Sequence, residues 1–349
     1  MQESFINTDC VNCGAGSDRA DEVVTTSVTH ECHLYGVPLR IASCRDCGLV
    51  FMTPRPLRAS IERLYGVELY QQPKNRVATR PKTRKASIHD LHSVLNDMIG
   101  EPLRGKRVLD IGANEGRWLA LFDRGNVLVG IEPSAAALRP VRDDISLIRS
   151  DLESAVLPDT FDLVTATALI EHLYDPLDGL VKMNARLRDG GRLFLYTPDI
   201  KGLSLRRGVS KYFKLVHLYY FSVSTLSSLL RKAGFAVEQV RVFPAFFSSA
   251  LVFPQTGSAA NFCLLARKVA SMSYAEAARN APSTGPEEHQ AVREAIRSAV
   301  RRDRLVGAVS TLLNRATRVR NRTSGVLRAR YPRVWSQLRL IAHSSTKRT

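Results

Sequence analysis

Long apolar runs are missing from this chain, and so is an acidic counterweight to its cations. The longest apolar stretch, Phe243 to Phe253, is interrupted by Pro244, Ser248 and Ser249; a bilayer crossing needs roughly 18 to 20 residues. The first ten residues, MQESFINTDC, lack the basic and apolar regions of an export signal. Together these absences lead us to expect a cytoplasmic protein, one that a basic segment could hold at the inner membrane surface. Only 33 Asp and Glu stand against 50 Lys and Arg, for a formal charge of +17. The imbalance is local: from Arg267 to Thr349, 18 cations face 5 acids, and Lys74 to Lys85 holds six cations and no acid. Such blocks suggest polyanionic partners, whether nucleic acid, an anionic membrane surface or phosphate-bearing substrates. A solvated tail is the plain alternative.

What is present reads as globular. An apolar fraction of 44% with 24% charged residues can bury a sizeable core, and 349 residues suffice for two or three compact units. Four of the six cysteines form two pairs, Cys10-Val-Asn-Cys13-Gly14 and Cys44-Arg-Asp-Cys47-Gly48. In each C-x-x-C-G knuckle two thiolates point at one tetrahedral metal, and the glycine permits the tight turn behind them. Between the knuckles, Glu22 to His30 and Leu39 to Ser43 read as a hairpin. Without an export signal, paired cysteines favour zinc over a disulfide. Cys32, His30 and His33 are alternative ligands, and Cys263 reads as a core residue. Four thiolates leave no open coordination position, so the zinc is expected to be structural.

From about Ala86 onward, helical and strand patterns alternate, which predicts α/β architecture. Strands are expected at Arg107 to Ile111, Val127 to Ile131, Ser146 to Arg149, Phe161 to Thr165, Arg192 to Tyr196, Phe235 to Phe243 and Ala260 to Arg267. Helices are expected at Glu115 to Phe122, Pro176 to Leu187 and Ser224 to Ala233. Ligands of open α/β sheets bind beyond the C-terminal strand ends. There the first turn reads Asp110-Ile111-Gly112-Ala113-Asn114-Glu115-Gly116. Of G-x-G-x-x-G it lacks the second and third glycines, where Asn114 and Arg117 stand, and no Gly-Lys-Ser/Thr follows. Glu132 ends the second strand, Asp151 with Leu152 follows the third, and Ala168 follows the fourth. Pyrophosphate would be repelled by these acids; S-adenosylmethionine, with a sulfonium and an ammonium group, would not. Glu132 is placed for the ribose hydroxyls, Asp151 for the adenine amine and Leu152 for its ring.

These motifs, in this order, resemble the class I S-adenosylmethionine-dependent methyltransferases over about residues 100 to 268. The resemblance rests on Val108-Leu-Asp-Ile-Gly112, Gly130-Ile-Glu-Pro-Ser134, Asp151, Ile170-Glu-His-Leu173 with Asp175-Pro176, Gly190-Gly191, Tyr196-Thr-Pro198, and His217-Leu-Tyr-Tyr-Phe221-Ser222. The N-terminal part resembles the zinc-binding domain found ahead of this core in sugar C-methyltransferases and related glycan-modifying enzymes. There, as in Gly48-Leu-Val-Phe51 and Pro54-Arg-Pro56, the second knuckle runs into a Pro-x-Pro. The basic C-terminal segment departs from that pattern.

The expected organisation is therefore a Rossmann-like seven-stranded α/β core at 87–269. It is preceded by a zinc ribbon-like module at 1–70 and a basic linker at 71–86, and followed by a helical basic tail at 270–349. The resemblance implies methyl transfer to a sugar nucleotide, glycan or related small metabolite. RNA methylation is the first alternative and a non-catalytic cofactor-binding scaffold the second. Glu171, His172 and His217 are the base candidates, since histidine suits proton transfer near neutral pH. Asp199 to Tyr220 and Ala245 to Ala259 are expected to meet the substrate. In the tail, Ser283 to Pro286 reads as a linker, with Glu287 and Glu288 beside the positive end of the helix that follows. Val292, Ile296, Val300, Val306, Val309 and Leu313 then form a stripe opposite arginines. Such a helix could lie on an anionic membrane, bind RNA or dock on a partner.

Overall fold

The computed structural model describes residues 5–26, 39–63, 88–134, 139–157, 160–202, 212–213, 216–243 and 261–301. The chain separates into a unit spanning Met1–Ala299 and one spanning Val300–Thr349. The basic run from Lys74 to Lys85, the residues His30, Cys32 and His33, the segment Ala245 to Ala259 and the tail stripe from Val306 onward lie outside the described residues.

The cysteine module comes first. Phe5–Ile6 (β1) pairs antiparallel with Arg55–Pro56 (β5). Ala20–Thr26 (β2), Leu39–Cys44 (β3) and Val50–Met52 (β4) form an antiparallel sheet. Arg58–Arg63 (α1) and Ile88–Ile99 (α2) follow, the second burying Leu91, Leu95, Met98 and Ile99 at helical spacing.

The core strands are Arg107–Ile111 (β6), Val127–Ile131 (β7), Ile145–Ile148 (β8), Phe161–Thr167 (β9) and Leu187–Pro198 (β10). Tyr219–Tyr220 (β11) leaves the core, and Phe235–Phe243 (β12) and Asn261–Lys268 (β13) complete it. The seven-stranded order is β12-β13-β10-β9-β6-β7-β8. Strands β10, β9, β6, β7 and β8 run parallel, while β13 is antiparallel to both neighbours. This is the expected parallel sheet with a terminal hairpin. The order reverses between β6 and β9, so a crevice opens beyond their C-terminal ends.

Helix Pro176–Arg186 (α3) starts where its sequence says it should. The Asp175 carboxylate accepts from the Leu177 and Asp178 amides, each at 3.0 Å, and Pro176 occupies the first turn. Val223–Lys232 (α4) is capped by Ser222 and Thr225, and Tyr274–Arg279 (α5) by Ser273 and Glu276. Among the described residues a last helix (α6) covers 286–301. The helix expected at Glu115 to Phe122 does not form; a single 3-10 turn, Leu119–Leu121, stands there. Asn114 and Gly116 both hold positive φ, 52° and 76°, so a helix cannot nucleate before residue 117. Arg142 then donates to the carbonyls of Ala120 and Phe122, at 2.8 and 3.0 Å. No helix among the described residues is long and apolar enough to cross a membrane.

Candidate functional site

The first site is the crevice at the ends of β6, β7 and β9. Asp110 is 2% exposed and pairs in register with Thr165, whose hydroxyl donates to Asp110 Oδ1 at 2.7 Å. Trp118 Nε1 donates to that hydroxyl at 3.1 Å, so two linked hydrogen bonds fix the carboxylate orientation. Sequence patterning does not mark Thr165 and Trp118 as site residues; the one available signal for Thr165 is a small polar residue inside an apolar strand. Glu132, 4% exposed, accepts from the amides of Asn114 at 3.0 Å and Ser134 at 2.9 Å. Burial, with the Glu132 charge adding to it, pushes the Asp110 carboxyl up to about 7. Two buried acids so placed fit a positively charged ligand and would repel a phosphate.

The glycines divide the labour. A Cβ on Gly112 (φ 79°) would meet only the Leu169 side chain, at 3.4 Å, so ligand can approach the backbone there. A Cβ on Gly116 would meet Ile145 at 3.2 Å, so that glycine serves packing onto β8 instead. Among the described residues only Asn114 and Ala168 hold positive φ without being glycine, and both flank this crevice. Strained backbone of this kind persists where its surroundings over-determine it. Asp151 is exposed beyond β8, one oxygen already accepting the Ser154 amide at 2.7 Å, while Leu152 is buried beside it.

The second site lies past the end of β9. Glu171, His172 and His217 bring one donor atom each within 4.8 Å of one another. Glu171 Oε2 accepts from Thr197 at 2.9 Å, and Glu171 Oε1 lies 3.8 Å from His172 Nε2. His172 Nδ1 is 2.9 Å from the Val216 carbonyl, and the two imidazoles meet edge to face at 4.6 Å. Tyr220, Phe213 and Tyr212 continue the cluster ring by ring. The Tyr212 hydroxyl is buried and has no hydrogen-bond partner among the described residues.

The third site is the cysteine cage. The Sγ atoms of Cys10, Cys13, Cys44 and Cys47 all lie within 4.8 Å of one another, with Cys10–Cys47 and Cys13–Cys44 at 3.5 Å. Four thiolates about 2.3 Å from one ion would stand roughly 3.8 Å apart, so the set fits a tetrahedral metal. The two knuckles match in detail: Gly14 and Gly48 share φ 76°, and each donates its amide to the first cysteine's carbonyl. Crowded together, the four thiols divide their protons unevenly: hydrogen bonds from Cys10 pull the Cys13 thiol well down and bring Cys44 to about 7, while Cys10 and Cys47 are pushed up.

The cage is bound into the molecule by distant residues that sequence reading does not assign to it. Asn12, fully buried inside the first knuckle, accepts from Ser228 of α4, donates to Thr284 and offers its carbonyl to Lys232. Ser43 meets His289 Nδ1 of α6 at 2.9 Å, and Arg293 pairs with Asp21. Glu288, expected only to complement a helix dipole, is buried; it accepts from Ser222 at 2.6 Å and Lys201 at 2.8 Å. Residues 283–299 thus pack within the unit that spans Met1–Ala299. Strand β11 supplies the fourth strand of the cysteine sheet, in the order β11-β4-β3-β2.

Fold and crevice together define a Rossmann-like α/β methyltransferase core. Residues 68–240 match the family model of a methyltransferase domain. Among curated proteins, the tRNA U34 carboxymethyltransferase of Vibrio atlanticus (strain LGP32) is 30% identical over 155 residues, covering 40% of this chain and 47% of that one. The protein of the same name from Vibrio vulnificus (strain YJ016) is 31% identical with the same coverage. The match therefore spans about half the length of these relatives. Among solved structures, the 1,6-didemethyltoxoflavin-N1-methyltransferase of Burkholderia thailandensis, with bound 1,6-didemethyltoxoflavin and S-adenosylhomocysteine, covers 66% of this chain and 96% of its own. Its identity is 19% and its TM-score 0.45. A Mesorhizobium loti S-adenosylmethionine-dependent methyltransferase covers 52% of this chain and 98% of its own, at 20% identity and TM-score 0.39.

Proposed function

We propose that this chain transfers a methyl group from S-adenosylmethionine to an RNA acceptor. The observation that carries the cofactor half is the pair of buried acids, Asp110 and Glu132, at the ends of adjacent strands beside the open face of Gly112. S-adenosylmethionine, when bound, supplies an electrophilic methyl group on a cationic sulfur. Glu132 would then exchange its backbone amide donors for ribose hydroxyls, and Asp110 would offset positive charge. Asp151, Leu152, Asn114, Gly116 and Ala168 would shape the adenine and turn contacts. Glu171, His172 and His217 would face the acceptor, past the end of β9.

Two supports favour RNA over the sugar nucleotide that the cysteine module suggested. The curated relatives carry a name that has them act on tRNA, and 18 cations against 5 acids from Arg267 onward supply polyanion affinity. We assign Zn2+ to Cys10, Cys13, Cys44 and Cys47 as a structural ion. The test is transfer of labelled methyl to total tRNA, to ribosomal RNA and to a panel of sugar nucleotides in parallel. Label in an RNA fraction, suppressed by salt, is the expected result. Label only in a sugar nucleotide would overturn the RNA reading, and no calorimetric binding of S-adenosylmethionine would overturn the whole.

A further inference from the structure

We propose that Glu171, His172 and His217 form a second metal site, binding one divalent transition ion beside the cofactor crevice. The observations are geometric. A carbonyl can only accept, so at 2.9 Å from the Val216 oxygen His172 Nδ1 carries the proton. In the neutral ring the lone pair then sits on Nε2, the atom that faces Glu171. An imidazole fixed by its far nitrogen to a backbone carbonyl is the arrangement that metal-binding histidines adopt. Glu171 is held in the same way: Thr197 donates to Oε2, and Oε1 is the oxygen turned toward His172.

The 3.8 Å between Oε1 and Nε2 is too long for a hydrogen bond. Two donors each about 2.1 Å from one ion stand roughly 3.0 to 3.4 Å apart in octahedral or tetrahedral geometry. The set, now within 4.8 Å, would close by up to about 1.8 Å on binding. All three side chains are nearly excluded from water, so a bound ion would compete with few solvent ligands. Two imidazoles and one carboxylate leave coordination positions open and suit Fe2+, Zn2+ or Mn2+ over Ca2+ or Mg2+.

This site differs from the cysteine cage in chemistry, so the two can be counted separately. The experiment titrates the metal-stripped, refolded full chain with Co2+ alone and records both stoichiometry and absorption. Two equivalents are expected: one with thiolate-to-cobalt charge-transfer bands, lost in Cys44→Ser, and one without them, lost in Glu171→Gln. His217→Asn should lose the same equivalent and covers the case in which Glu171→Gln fails to fold. A wild-type chain taking a single, thiolate-bound equivalent would overturn the proposal. So would folded Glu171→Gln and His217→Asn chains that both keep two. S-adenosylmethionine binding, measured on the same samples, reports on the cofactor crevice and decides neither outcome.

Discussion

The two sheets of this molecule hold their sites by opposite means. The seven-stranded sheet carries Asp110 and Thr165 on the paired strands β6 and β9 and Glu132 just past β7, which pairs with β6, and its core is its own. The cysteine sheet has three strands of its own and takes its fourth from the core at β11, where Tyr219 pairs with the distant Phe51. Its cage is then closed by α4, Thr284 and α6, through hydrogen bonds between residues 216, 272 and 246 positions apart. A site built on neighbouring strand ends survives as a local pattern; a site completed from elsewhere depends on the whole chain being folded. The cage is therefore a joint between the module, the core and α6, rather than a separate domain with a metal in it.

The sharpest way to break this comparison is to remove the metal proposed for the cage. A structural zinc site is worth about 10 to 16 kcal/mol of apparent binding energy, so Cys44→Ser should release the whole module. Hydrogen exchange should show lost protection in β2, β3 and β4, and also in β11 and α6, which lean on them. Strands β6, β7 and β9 should keep theirs. Protection unchanged in β11 and α6 would mean the joint is not one.

The second effect belongs to the core and depends on pH. The Asp110 carboxyl, raised from the usual 3.8 to about 7 by burial, binds more protons folded than unfolded across that interval. Its stabilising effect is therefore complete below about pH 4 and lost as pH rises to 7. About three pKa units correspond to about 4 kcal/mol. Without cofactor, Asp110→Asn should be the more stable protein at about pH 8, by a margin that vanishes near pH 4. Thermal melts of both proteins at the two pH values check this, and S-adenosylmethionine should narrow the gap for the wild type only.

How much is legible in the sequence follows the same division. The core strands lie within a few residues of their expected places because most are apolar runs, and β6 and β7 carry Asp110 and Glu132 at or just past their C-terminal ends. The helix expected after Gly112 fails because Glu115 to Phe122 has helical spacing, while the two left-handed residues at its start decide otherwise. The four cysteines announce themselves by their C-x-x-C-G repeats. Asn12, Ser43, Glu288 and His289 do not, since their partners are set by tertiary packing and no local spacing marks them. Lys232 and Ser228 look like the solvent face of a helix and are instead where the first knuckle docks.

A smaller effect tests the crevice itself. Glu132→Ala should weaken S-adenosylmethionine by roughly ten- to a hundredfold, since a hydrogen bond to a charged group is worth about 1.5 to 3 kcal/mol. Calorimetry at about pH 8, where Asp110 is ionised, gives the fairest reading. An unchanged affinity would remove Glu132 from the site and leave the crevice without its second acid. Stability should change less than binding, because the amides of Asn114 and Ser134 lie at the crevice edge and can turn to water.

The smallest effect is the most direct measure of the joint, because the molecule supplies its own control. Gly14 and Gly48 occupy the same place in the two knuckles, with the same φ of 76°. An alanine at either must bear the left-handed penalty, roughly 1 to 2 kcal/mol. They differ in what a Cβ would meet. Around Gly14 nothing lies within 4 Å, whereas at Gly48 the backbone of Glu288 and His289 in α6 stands 2.7 Å away. Backbone cannot swing aside as a side chain can, so α6 must shift off the knuckle, at about 1 to 3 kcal/mol more. Gly48→Ala should therefore melt lower than Gly14→Ala, with both still holding metal. The difference should disappear in a chain that ends before residue 283, which has no α6 to displace. Equal melting of the two variants in the full chain would show that α6 does not press on the cage. A difference that persists after truncation would place the strain within the knuckle.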